Sequence, residues 1–240
     1  VRAACSRPVK IGFAQAFGPV MPYTDADVET ARRETFACHN DLFSGSFWVE
    51  PLVTGKYPEE YTAWMAENGF TPPADDLKCR IDFYGVNTYT GRYVTTGKNG
   101  EAVPVTPKPS VPKTDMRWDV FPDSLYWGPK FLYERYRIPI IYTENGVALT
   151  EWKTLEGTVN DDCRIDFVKR YLRALHRAAQ EVEVKGYFYW SFMDNFEWAE
   201  GFSKKFGLIH IDYDTLVRTP KKSAFWYKKV MESNGEEIFK

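Results

Sequence analysis

The sequence predicts an α/β fold of parallel strands, on three observations. Apolar runs of strand length recur at Ile81–Val86, Ile138–Tyr142 and Gly186–Ser191, with a shorter one at Val9–Phe13. Their side chains suit strands buried on both faces rather than the alternating strands of a sheet with one wet face. A helical pattern follows each of them, so strand and helix alternate four times. Each long run also stops abruptly at a loop rich in polar and aromatic residues, at the carboxyl edge where parallel α/β folds collect their chemistry. Right-handed βαβ units of an α/β barrel have this order.

Taken in order, Val9-Lys10-Ile11-Gly12-Phe13 reads as a short strand followed by a loop rich in Pro and Gly. Asp25 to Phe43 reads as a helix whose early acids Asp25, Asp27 and Glu29 suit the helix dipole. Glu59 to Asn68 is a second helix, stopped at Asn68-Gly69. Residues 91–122 carry Gly, Pro, Thr and Lys with little periodicity, which predicts a hairpin and an active-site loop. Ser124 to Tyr136 is helical, with Pro139 just beyond its end. Asp161 or Asn160 caps a helix whose apolar residues Ile165, Val168, Tyr171, Leu172, Leu175 and Ala179 make one buried face. After the strand at Gly186 comes a short hairpin with Phe206–Ile211 as its return, and Ser223 to Met231 is a closing helix.

Composition narrows the function classes. The chain has 240 residues, is 44% hydrophobic and 27% charged, and has no apolar run of membrane-spanning length, which predicts a soluble globular protein that does not cross a membrane. A net charge of −2 lacks the electrostatic signature of a nucleic-acid binder. Eight Trp invite a sugar-stacking reading, although core packing is the commoner fate of any one of them. Cys5, Cys38, Cys79 and Cys163 form no CxxC pair and read as reduced, buried thiols. His39, His176 and His210 are scattered, so neither a metal nor another cofactor is expected. The first residues have no apolar signal-peptide core and do not look like a beginning; no Asn-x-Ser/Thr sequon occurs, which favours a cytoplasmic location.

Glu144, where the Ile138–Tyr142 run ends in Thr-Glu-Asn-Gly, is the carboxylate around which the chain is organised. Taken alone it is as compatible with a solvated residue before a turn. Its company decides: T-E-N-G, G-V-N-T-Y-T and Y-W-S-F-M-D-N-F-E-W-A-E-G-F followed by K-K-F-G-L resemble, in order, signatures of family-1 glycoside hydrolases, the β-glucosidase family. The resemblance covers most of the chain. It implies the carboxyl-terminal half, strands 5–8 with the closing helix, of a (β/α)8 TIM barrel, so that residues 1–240 form one incomplete domain. The missing amino-terminal half would come from a partner polypeptide, a nicked piece or another copy of this chain, because a half barrel leaves strand edges and an apolar interior uncovered.

The resemblance also implies roles. Glu144 is the nucleophile of retaining hydrolysis, which needs two carboxyl groups roughly 5 Å apart. The second, in an N-E-P-like motif, is absent here, so the acid/base is expected from the missing half; its loss removes assistance of about 10²–10⁴ in rate. Tyr89 orients Glu144, Asn87 lies near the sugar's 2-hydroxyl, and Glu197 accepts the 4- and 6-hydroxyls between Trp190 and Trp198. Phe206 is a wall near the 6-position, and Trp118 lines the aglycone side. The expected substrates are β-glucosides or short β-linked oligosaccharides. Glu197-Trp198-Ala199 and Phe206 disfavour 6-phosphosugars, whose phosphate would meet a carboxylate. Were the chain active alone, Glu200 or Glu151 would be the acid to test. A competing class is a sugar-binding or structural subunit that has lost the acid/base.

Overall fold

The computed structural model describes residues 2–38, 45–71 and 77–240. Strand β1 (Gly12–Ala16) is followed by β2 (Val20–Pro22), α1 (Val28–Thr35), α2 (Val49–Thr54) and α3 (Glu59–Glu67). Next come β3 (Phe83–Asn87), β4 (Arg92–Thr96), β5 (Ala102–Pro104), α4 (Ser124–Tyr136) and β6 (Ile140–Asn145). The chain ends with α5 (Asp162–Ala179), β7 (Val184–Tyr189), β8 (Ile209–Ile211), β9 (Arg218–Pro220) and α6 (Lys222–Glu232).

Four of the strands make a parallel sheet in sequential order, β1-β3-β6-β7. The described chain between paired strands carries α1, α2 and α3, then α4, then α5, as parallel pairing demands. One face of this sheet is sealed: Tyr84, Val86, Ile140 and Tyr142 pack with Leu125 and Leu132 of α4 and Phe167 and Tyr171 of α5 in one core cluster. Alternation along each strand sends the other residues to the opposite face. There Ala14, Ala16 and Phe188 are exposed, and Ile141 and Thr143 only half-buried. Among the described residues, β1 and β7 each pair on one side only. Apolar clefts of about 580 Å³ and about 550 Å³ run beside these two strands.

The long excursion after β3 contains the expected hairpin, β4 antiparallel to β5, and β2 adds to it in parallel, which three apolar residues ending in Pro did not announce. The helix read over Asp25–Phe43 is shorter than expected. A 3-10 turn at Asp25–Asp27 precedes α1, and the helix stops at Thr35, whose hydroxyl accepts from the Val20 amide at 3.2 Å and so ties the helix end to β2. The rest of the expected helix, from His39 on, lies outside the described residues. α2 was not anticipated; Gly55 ends it at φ 100°, a left-handed conformation suited to glycine. The segment read as the return of a short hairpin after the Gly186 strand pairs antiparallel, as β8, with β9, and its Ile209 bridges in parallel to Met193 just beyond β7.

α5 presents Phe167, Val168, Tyr171, Ala174, Leu175 and Ala178 to the core. Ile165 is only partly buried and Ala179 is exposed, because a 3.6-residue period reaches Ala178 rather than its neighbour. The cysteines are free, as expected, but not buried: Cys5, Cys79 and Cys163 are exposed and Cys38 is intermediate. Cys163 sits in the first turn of α5 beside the exposed Asp162, on the face turned from the core.

Candidate active site

The carboxyl edge of the parallel sheet is where the motif residues meet. Register irregularities fall there, between Val86 and Asn87 on β3 and between Tyr142 and Asn145 on β6, and such bulges re-aim side chains at strand ends. Glu144 is half-buried, and its Oε2 accepts from the Tyr89 phenol at 2.6 Å. The Tyr89 phenol is pushed far above its ordinary pKa by burial, and further by the hydrogen bond to Glu144 and its charge, so it stays protonated as a donor. Its backbone is propped from behind: Tyr171 of α5 donates to the Tyr89 carbonyl at 3.2 Å while accepting from the Phe121 amide at 3.0 Å.

An aromatic group closes around Tyr89. Trp118 stands 5.2 Å from it between ring centroids and Phe206 5.9 Å, with 6.4 Å between the two. Trp118 is brought there by a turn in which Lys113 bridges Asp119 and the Thr114 amide donates to the Trp118 carbonyl at 2.9 Å. Phe206 is 2% exposed, so it backs Tyr89 and Trp118 from beneath rather than facing open space. Asn87 accepts a 2.5 Å bond from the Thr143 hydroxyl.

Glu197 is the second carboxylate near Glu144. Burial pushes its pKa above the ordinary value; a hydrogen bond from Trp190, whose side-chain donor is the indole N–H, works against this, and the charges of Glu144 and Glu200 add to the rise. Trp198, on the 3-10 turn Trp198–Glu200, is 83% exposed. Gly146 lets the motifs approach: a Cβ there would stand 1.8 Å from the Trp190 carbonyl oxygen.

Beneath the Glu197 loop lies a buried ionic network that sequence reasoning missed. Arg164, fully buried, bonds Asp161 Oδ2 and Glu151 Oε2, each at 2.8 Å, and donates to the carbonyls of Val147, Lys205 at 2.9 Å and Phe206 at 3.1 Å. Lys221, also fully buried, pairs with Glu151 and with Asp194 at 2.9 Å. Asp194 Oδ1 takes the Gly207 amide at 2.9 Å, which fixes the loop. The signal was weak, because charges on a helix usually mark a solvated face. Asp161 does stand at the N-cap of α5, but makes no cap bond; its carboxylate accepts from Ser223 and Arg164 instead.

This network corrects two expectations. Glu151 is locked between Arg164 and Lys221, so it is no free acid. His210 is not isolated: Glu151, Asp194 and His210 offer ligand atoms within 4.8 Å of one another. The Lys221 ammonium, ion-paired with both carboxylates, already supplies the positive charge a metal would bring. Burial pulls its amine below the ordinary value, and the charge of Arg164 adds to that, against the attraction of both acids. Among the described residues no helix is long and apolar enough to cross a membrane.

Comparison with known proteins agrees with the motifs. The sequence profile of glycosyl hydrolase family 1 matches residues 3–236. β-Glucosidase A of Thermotoga maritima is 38% identical over 195 residues, 79% of this chain and 44% of its own length. A bifunctional β-D-glucosidase/β-D-fucosidase of Bifidobacterium breve is 35% identical over 236 residues, 87% of this chain and 51% of its own. A solved β-glucosidase from Thermotoga maritima in complex with glucoimidazole superposes with a TM-score of 0.78 at 34% identity, over 94% of this chain and 51% of that one. The chain thus spans about half the length of the relatives it matches. With a profile match across nearly all its residues, the chain belongs to glycosyl hydrolase family 1.

Proposed function

We propose that this chain is the carboxyl-terminal half, strands five to eight, of a (β/α)8 barrel whose completed form is a retaining β-glycosidase hydrolysing terminal β-D-glucosyl residues. The observation that carries the reading is the 2.6 Å bond from Tyr89 to Glu144 at the carboxyl edge of a parallel sheet. A protonated phenol fixes one carboxylate oxygen and leaves the other free to attack. In the first step that oxygen bonds to the anomeric carbon as the bond to the leaving oxygen breaks, and an acid supplied by the amino-terminal half protonates that oxygen. In the second, water displaces Glu144 while the same group, now a base, takes its proton.

The remaining side chains suit the sugar. Asn87 faces the 2-hydroxyl, and Glu197, braced by Trp190, accepts the 4- and 6-hydroxyls. Its carboxylate would repel a 6-phosphate, so unphosphorylated glucosides are preferred. The incomplete barrel is supported by the sequential parallel order, by the sides of β1 and β7 that are unpaired among the described residues and by the exposed apolar face of the sheet. A partner half is the occupant that would pair both edges at once. Treating the completed protein with a 2-fluoroglucoside bearing a good leaving group is expected to leave a glucosyl adduct on Glu144, read by peptide mass. An adduct on Glu197 or Glu200 would overturn the assignment.

A further inference from the structure

Thr143 precedes Glu144 and belongs to the same strand, yet its side chain serves Asn87 on the neighbouring one. Its hydroxyl donates to Asn87 Oδ1 at 2.5 Å. The position is sterically prepared: Gly85 on β3 has no Cβ, and one placed there would stand 3.1 Å from Thr143 Cγ2 and 2.7 Å from the Phe13 carbonyl oxygen. The Asn87 backbone is held too, its carbonyl accepting from the Phe17 amide at 2.9 Å. With backbone and Oδ1 engaged, Nδ2 has no hydrogen-bond partner among the described residues. The Thr143 hydroxyl can donate or accept, so what the bond sets is the place of the Asn87 side chain.

We infer that Thr143 is a positioning residue that holds the Asn87 side chain in place at the end of β3, so that its amide reaches the sugar's 2-hydroxyl. The inference rests on the glycosidase reading and adds to it the residue that sets discrimination at the 2-position. Contacts to the 2-hydroxyl strengthen in the transition state, so an Asn87 side chain released from Thr143 lowers turnover selectively for sugars that carry that hydroxyl.

The test uses the completed protein with aryl β-glucoside and aryl 2-deoxy-β-glucoside. Thr143→Val keeps the methyl that packs over Gly85 and deletes the hydroxyl, and Thr143→Ser keeps the hydroxyl. Thr143→Val is expected to lower the ratio of kcat/KM for glucoside over 2-deoxyglucoside about tenfold, the worth of one hydrogen bond, while Thr143→Ser retains the wild-type ratio. An equal loss on both sugars, or no loss, overturns the inference. If the completed protein hydrolyses neither sugar, the glycosidase reading fails, and the Asn87 side-chain ¹H–¹⁵N signals, assigned by their loss in Asn87→Asp, decide the rest. Displacement of those signals in Thr143→Val but not in Thr143→Ser supports the assigned bond; signals unmoved in both overturn it.

Discussion

Tyr89 and Glu144 lie 55 residues apart and are joined by a 2.6 Å hydrogen bond across the carboxyl edge of β3 and β6. The parallel ladder makes this meeting possible, since Asn87 and Glu144 are partners in register. Burial and the nearby carboxylate disfavour ionisation of the phenol, so it stays a donor at neutral pH. Replacing Tyr89 by Phe keeps the ring against Trp118 and Phe206 and removes only the bond. A hydrogen bond to a charged group is worth about 1.5–3 kcal/mol. Tyr89→Phe is therefore expected to reduce kcat of the completed protein about 10- to 100-fold; a kcat unchanged by the substitution contradicts this role.

Glu197 provides a pH-dependent prediction. Its folded-state pKa is raised, by burial first and by the Glu144 and Glu200 charges besides. Between the ordinary carboxylate value and the raised one, the folded protein holds a proton that the unfolded chain releases. Folding stability then falls as pH rises through that interval, and Glu197→Gln removes this fall. Glu144→Gln, which deletes a like charge, is expected to move the Glu197 titration down, read from its carboxyl ¹³C shift. A Glu197 shift that ignores Glu144→Gln would separate the two groups.

Arg164 is the stability prediction. It serves Asp161, Glu151 and three backbone carbonyls from a fully buried position. Arg164→Gln leaves two buried carboxylates short of a partner, which costs about 3–5 kcal/mol. Denaturant unfolding of the completed protein should show that loss, and an unshifted midpoint would mean that the network relaxes freely.

The edges of β1 and β7, unpaired among the described residues, yield the fourth prediction. Phe188 and Phe192 are 61% and 67% exposed along and beyond β7, and Phe225 and Met231 line the same cleft. Purified alone at micromolar concentration, residues 1–240 are expected to be oligomeric by light scattering, to bind a hydrophobic dye and to show no glucosidase activity. Adding an amino-terminal half that carries an N-E-P motif is expected to restore a compact particle and turnover together. A monomeric chain active on aryl β-glucosides would refute the half-barrel reading.

Much of this was legible in the sequence, for identifiable reasons. α4 ran from Ser124 to Tyr136 as read, because Pro139 bars its extension. The long strands were visible because both their faces are apolar, and the meeting of Tyr89 with Glu144 followed from the motifs around them. What failed was context held in tertiary contacts. β2 is too short to carry a period, and α1 is ended by a Thr35–Val20 bond invisible to local propensity. Asp161 read as a helix cap, and nothing in one dimension shows that it, Arg164, Asp194 and Lys221 compensate one another in the interior.

The contact between Gly146 and the Trp190 carbonyl has a consequence for engineering. Because a single methyl at position 146 would collide with the backbone at the end of β7, the turn after Glu144 and the segment carrying Trp190 form one steric unit. A chimera joining two homologous enzymes between β6 and β7 must bring glycine to this position from whichever parent donates the turn. Libraries that vary position 146 should return only glycine among active clones, whereas those crossing over before β6 or after β8 would inherit both surfaces together and keep the interface intact.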